Sequence, residues 1–222
     1  MRKLINKIIE LMKWPIALYM LISLPAYIQS LSYFNFTQFK YIAFGGGSIL
    51  FILSMTMSDG AVRTGLQTIA HELTHTFFAF ITFHKIKHVR LNPDDSGGSM
   101  GFEGEGNWLI TISPYFFPLF VFFFMILVGF FPSHFIINGI LGYLMGYHID
   151  TVASQIHDKQ TDLPKVGYGF CWTFLPGANF WIIGCILSFN SRGWEGISVY
   201  QTLIYNLNLK NLEFILKMLF GS

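Results

Sequence analysis

Residues 60–83, GAVRTGLQTIAHELTHTFFAFITF, decide how the rest of the chain is read. The stretch is long enough for a membrane-crossing helix. Yet it holds Gln67, His71, Glu72, Thr74, His75 and Thr76, groups that a helix facing lipid does not carry. Residues four apart share a helix face, so His71 and His75 project side by side, one turn apart, with Glu72 beside them. Two imidazoles at that spacing reach one metal ion. With 7 His in 222 residues, a His-Glu-x-x-His string arises by chance roughly 0.006 times per chain. The plainer alternative is a hydrogen-bonded histidine pair in a helix interface, with Glu72 neutralised by Arg63. Ionisable groups at membrane depth are costly, which weighs toward a functional role.

Working outward, the chain is 53% hydrophobic and 12% charged, with 25 Phe and a mean hydropathy of +0.50. Soluble domains carry about 25% charged residues. No polar stretch is long enough to fold as a separate soluble unit, so residues 1–222 are expected to form a single integral membrane domain with the lipid bilayer as its surroundings. A net charge of +2 spread over scattered Lys and Arg excludes a nucleic-acid partner. Cys171 and Cys185 fall in one apolar run and read as packing residues.

The pattern along the chain predicts an all-α polytopic membrane protein with about six transmembrane helices. Residues 1–13 combine Arg2, Lys3, Lys7 and Lys13 with apolar residues at helical spacing, as in a surface-lying amphipathic helix. Residues 14–57 supply two N-terminal spans, with Pro15 and Pro25 in the first and Gly45-Gly46-Gly47 as an expected kink or close-approach face in the second. Residues 60–189 form the expected catalytic core. Within it, residues 84–106 turn glycine-rich and polar and predict a short β-hairpin or re-entrant loop after the histidine-bearing helix. Spans at about 108–131, 134–157 and 166–189 follow. Residues 198–220 read as a C-terminal amphipathic or membrane-associated helix. Basic residues at 2, 3, 7 and 13 lean toward a cytoplasmic N-terminus. No motif specifies an oligomeric state.

Catalytic zinc takes three protein ligands and keeps one position open, while a nearby carboxylate serves as general base. Glu72 fits the second role. The third ligand beside His71 and His75 must come from downstream, and Asp150, Asp158, Asp162, His148 and His157 are all chemically able. Spacing alone leaves them open. His84 and His88 read as interfacial residues, with a second metal as the weaker alternative. Ser113, Asn138 and Asn179 lie in apolar runs, where they hydrogen-bond between helices or assist the reacting centre. Glu103 and Glu105 read as solvated.

At these residues the chain resembles the site-2 protease family of intramembrane zinc metalloproteases, particularly its compact bacterial branch without an inserted PDZ domain. The resemblance runs over residues 60–189. It rests on HELTH in an apolar helix, the glycine-containing loop at residues 93–101, Ser113-Pro114 in the next span, and Thr161-Asp162-Leu163 before a late span. It implies Asp162 as the third zinc ligand, although the family usually follows that aspartate with glycine and here Leu163-Pro164 follows. Asp150 therefore stays open, and Asp162 could instead cap a helix. The resemblance further implies hydrolysis of a peptide bond in or next to the transmembrane segment of a membrane-protein substrate. Glu72 would activate the attacking water, and the loop would offer a strand edge to the unwound substrate. A bacterial plasma membrane is the implied location. The rival readings are a membrane-embedded zinc hydrolase of a lipid and a non-catalytic, protease-like membrane scaffold.

Overall fold

The computed structural model describes residues 1–91, 98–156 and 160–221. It is mostly helical, with one two-stranded sheet. In chain order come α1 (Arg2–Ser30), α2 (Phe39–Thr56), α3 (Gly60–Ile81), β1 (Ile86–Leu91), β2 (Gly98–Phe102), α4 (Trp108–Ile112), α5 (Leu119–Val128), α6 (Phe135–Gln155), α7 (Asp162–Val166) and α8 (Tyr168–Phe220).

Large apolar side chains such as Ile22, Ile49, Leu127 and Phe214 are exposed on the outer faces, while Gln67, His71, Glu72, Thr74 and His75 are buried on α3. Apolar outside and polar inside is the arrangement that a bilayer, not water, selects. Among the described residues, three helices are long and apolar enough to cross a membrane: α1 with the short 3-10 turn after it, α2 and α8. A fourth crossing results if the pieces Trp108–Tyr115 and Leu119–Val128, bent by 81° at the break Phe116-Phe117-Pro118, count as one span. The helices α3 and α6 have 22 and 21 residues, enough to span, but their polar groups keep them from being recognised by composition. The expected six spans are thus only partly visible in apolar character.

Residues 1–13 and the span after them were expected as two helices, and the structure runs them as one. Pro15 and Pro25 sit inside it. The reason lies in Arg2, Asn6, Glu10 and Lys13, spaced to share one face. Arg2 donates to the Glu103 carbonyl at 3.0 Å, Asn6 to the Glu105 carbonyl at 2.8 Å, and Lys13 to the Val166 carbonyl at 2.9 Å. Glu10 accepts from the Trp108 backbone N–H at 3.0 Å. The polar face is satisfied by protein, so the helix need not turn onto a membrane surface.

In α2 the glycine run makes no break. Gly47 instead lets α2 meet α6 backbone to backbone: a Cβ on Gly47 would stand 1.9 Å from the Gly139 carbonyl oxygen, and one on Gly142 would stand 1.8 Å from that of Phe44. Ser48 reinforces the seam by donating to the Gly142 carbonyl at 2.8 Å. At the other side, α8 is two arms joined at Arg192-Gly193, where Gly193 takes a φ of 61°. The arms fold back on each other, with Trp181 Nε1 donating to Gln201 at 3.2 Å, and match the two separate segments expected at 166–189 and 198–220.

The polar loop expected after α3 is the hairpin β1–β2, paired antiparallel from Ile86 opposite Phe102 to Leu91 opposite Gly98. Residues 92–97 of that loop lie outside the described residues. Most of the core is aromatic and aliphatic, built by Trp108, Tyr115, Phe116, Phe170 and Phe174 between α4, α5, α6 and α8.

Candidate metal centre

Asp59 caps α3, its carboxylate accepting from the Ala61 N–H at 3.2 Å, and the helix then carries His71 and His75 inward on one face. Their Nε2 atoms lie 3.0 Å apart. Asp162, the first residue of α7, brings Oδ2 to 3.3 Å from His71 Nε2 and 3.2 Å from His75 Nε2. Its other oxygen is held by Lys165 at 3.1 Å. Among the described residues, these three form the one group of His, Cys, Asp or Glu side chains placed to hold a metal ion. Asp162 does not cap α7. That position belongs to Thr161, which makes no side-chain capping bond.

The donor chemistry can be tested against a cation. His75 Nδ1 is 2.7 Å from the Ile110 carbonyl, and because a carbonyl only accepts, Nδ1 carries the proton and Nε2 offers a lone pair. A lone pair, a second imidazole nitrogen and a carboxylate oxygen therefore crowd together out of water. A cation placed between them would take a lone pair from each. In a tetrahedral zinc site with bonds of about 2.0–2.1 Å, neighbouring ligand atoms stand about 3.3 Å apart, close to the spacings seen here. The residues fit zinc.

Glu72 is buried beside the trio, and β2 begins on top of it: a Cβ on Gly98 would lie 2.5 Å from Glu72 Cγ. A cleft of about 430 Å³ opens between α1, β2, α4 and α7, reaches His75 and Asp162, and is rimmed by Glu10, Lys13 and Lys165.

The other candidates are engaged elsewhere. Asp150 is paired with Arg63 and accepts from Gln67 at 2.7 Å, so Arg63 neutralises Asp150 rather than Glu72. His148 is buried in α6 and lines a separate cavity of about 20 Å³ with Thr74, Tyr147 and Thr151. His157 and Asp158 lie outside the described residues. His84 is buried and bonded to Thr82 and to the Glu105 carbonyl, while His88 is exposed. Neither joins a metal-holding group. Asn138 accepts from Ser133 in the loop before α6, and Asn179 donates to the carbonyls of Tyr115 and Leu175, so both make structural bonds. Ser113 donates to the Ile110 carbonyl at 3.0 Å, the same oxygen that orients His75. Glu103 forms an exposed pair with Lys85.

Three contributors were not foreseen. The Ile110 carbonyl sets the His75 tautomer. Asn107 caps α4, accepting from the Ile110 N–H at 3.1 Å, and so holds that residue. Tyr115 packs its ring against His71 with centroids 5.5 Å apart. The sequence signals near them were Ser113-Pro114, which opens the 3-10 turn, and Pro118, which stands at the bend.

Comparisons with curated proteins and with solved structures give no match. A family model described as peptidase M50B-like matches residues 48–146. The matched segment includes α3, the hairpin, α4 and α5, and ends before Asp162. Together with the long apolar helices, the family points to an integral membrane protein with peptidase character. The matched segment carries HELTH and supports membership of the site-2 protease (M50) family.

Proposed function

We propose that the protein is an intramembrane zinc metalloprotease of about six spans, acting in a bacterial plasma membrane. On this reading it hydrolyses a peptide bond in or next to the transmembrane segment of a membrane-protein substrate. The observation that carries the reading is the convergence of His71, His75 and Asp162 at 3.0–3.3 Å, with Glu72 adjacent and all of them enclosed by apolar helices.

His71, His75 and Asp162 would hold zinc, which supplies Lewis acidity that lowers the pKa of a water and polarises a carbonyl. Glu72 accepts the proton of the attacking water as it adds to the scissile carbonyl carbon, then delivers that proton to the nitrogen as the C–N bond breaks. The His75 imidazole keeps its orientation through the Ile110 carbonyl, so it stays aimed while the substrate exchanges. Met100 and Phe102 of β2 line the cleft, and a substrate unwound from helix to strand would find backbone partners along that strand. The charged rim of Glu10, Lys13 and Lys165 admits water to an otherwise apolar interior.

The test is cleavage of a transmembrane substrate by purified protein. Glu72→Gln should lower turnover about 100- to 10,000-fold while zinc stays bound. Undiminished function of Glu72→Gln would favour a scaffold, and turnover of lipid but not peptide would favour a lipid hydrolase.

A further inference from the structure

The two histidines of the centre are held differently. His75 donates Nδ1–H to the Ile110 carbonyl at 2.7 Å. His71 Nδ1 is buried and has no hydrogen-bond partner among the described residues. A ligating histidine ordinarily gives its second nitrogen to a carbonyl, carboxylate or water that fixes the ring. Among the described residues, no protein atom holds the His71 ring through Nδ1.

Tyr115 stands in that place. Its ring meets the His71 ring edge to face, with centroids 5.5 Å apart and planes at 89°, a favourable geometry for two π systems. The residue is fully buried, so the ring has no room to swing away. Its carbonyl accepts from Asn179 Nδ2 at 3.0 Å, which fastens the bend to α8. The hydroxyl donates to Gln160 Oε1 at 3.2 Å, and Gln160 in turn donates to Gln155 at the end of α6. One side chain therefore touches a histidine of the trio with its ring and the segment that delivers the aspartate with its oxygen.

We infer that Tyr115 is a positioning residue of the metal centre, orienting His71 through ring contact and anchoring the Asp162 segment through its hydroxyl. The inference rests on the zinc reading of the site. It gives a role to the 3-10 turn Ser113–Tyr115, which brings the Tyr115 ring to His71 just after Ile110 has met His75.

The experiment uses the full chain in detergent and needs no substrate. Zinc affinity is measured by competition with a chromophoric chelator, and the visible spectrum of the cobalt(II)-loaded protein reports ligand geometry. Tyr115→Phe keeps the ring and loses the hydroxyl, whereas Tyr115→Leu loses both. The expected result is affinity about 10-fold weaker for Phe and about 100-fold weaker for Leu, each with an altered cobalt spectrum. Wild-type affinity and an unchanged spectrum in Tyr115→Phe would overturn the inference, even if that variant melts earlier or Tyr115→Leu fails to fold. Wild-type protein that binds no zinc would instead bring down the metal reading, and this inference with it.

Discussion

Gly98, the first residue of β2, lies so close to Glu72 that an added Cβ would stand 2.5 Å from Glu72 Cγ and 2.8 Å from Thr68 Cγ2. The hairpin and the proposed general base are thus in contact, and the side chain that does the chemistry is packed by the strand that would hold the substrate. Gly98→Ala must displace one or the other. Misplacement of a reacting group by about 1 Å can cost about 100-fold in rate, so we predict a loss approaching that size in turnover. Zinc content should not change, since the three atoms nearest an added Cβ belong to Glu72 and Thr68 and not to a proposed ligand. Parallel assays of cleavage and bound metal check this, and full activity in Gly98→Ala would reject it.

Asp150 and Asp162 should separate cleanly. Asp162→Ala removes one of three converging ligand atoms, and we predict protein without stoichiometric zinc and without activity. Asp150→Ala breaks the contacts to Arg63 and Gln67 and should lower stability by about 1–2 kcal/mol while zinc stays bound. Metal analysis and thermal unfolding of both variants distinguish the roles. Zinc lost from Asp150→Ala and kept by Asp162→Ala would reverse the assignment.

The seam between α2 and α6 makes a prediction about glycines that look alike in sequence. Gly142 would place a Cβ 1.8 Å from a backbone oxygen, whereas Gly46 has nothing within 4 Å. Gly142→Leu should destabilise the protein by about 1–3 kcal/mol through overpacking. Gly46→Ala should be neutral or slightly stabilising, since it only removes backbone freedom from a helix. Equal thermal shifts for the two would contradict the packing described. The same close seam weighs against motion of α2 relative to α6 as a way of opening the site.

Asn107 links the first helix to the metal centre. Its Oδ1 caps α4 and its Nδ2 donates to Asn6 at 2.9 Å, while α4 supplies the carbonyl that orients His75. Asn107→Ala should cost about 1 kcal/mol from the lost cap and weaken zinc binding as Ile110 loosens. Asn107→Asp keeps the capping oxygen and should recover most of the affinity. Chelator competition on both variants measures the difference, and equal affinities would detach the cap from the metal site.

Much of this was legible in the sequence, where a local rule governs it. His71 and His75 are one helical turn apart, so their meeting needs no tertiary information. The hairpin announced itself by glycines flanking a polar segment. Asp162 was harder: it lies 91 residues from His71, and only the pairing of Asp150 with Arg63 removes its competitor. Residues 2–13 showed their polar face, but not that residues 103–108 would satisfy it. Tyr115 was hidden among 10 tyrosines and 25 phenylalanines, because an aromatic in an apolar run carries no mark of what its ring will touch. The seam glycines were visible, yet whether such a run bends a helix or admits a neighbour depends on the facing helix.

The central claim is most directly tested by metal depletion and restoration. Purified protein stripped with a strong chelator should lose cleavage of a transmembrane substrate and regain it with one equivalent of zinc, while His75→Ala treated the same way should regain nothing. Cleavage that persists undiminished in protein shown by elemental analysis to be metal-free would contradict the account.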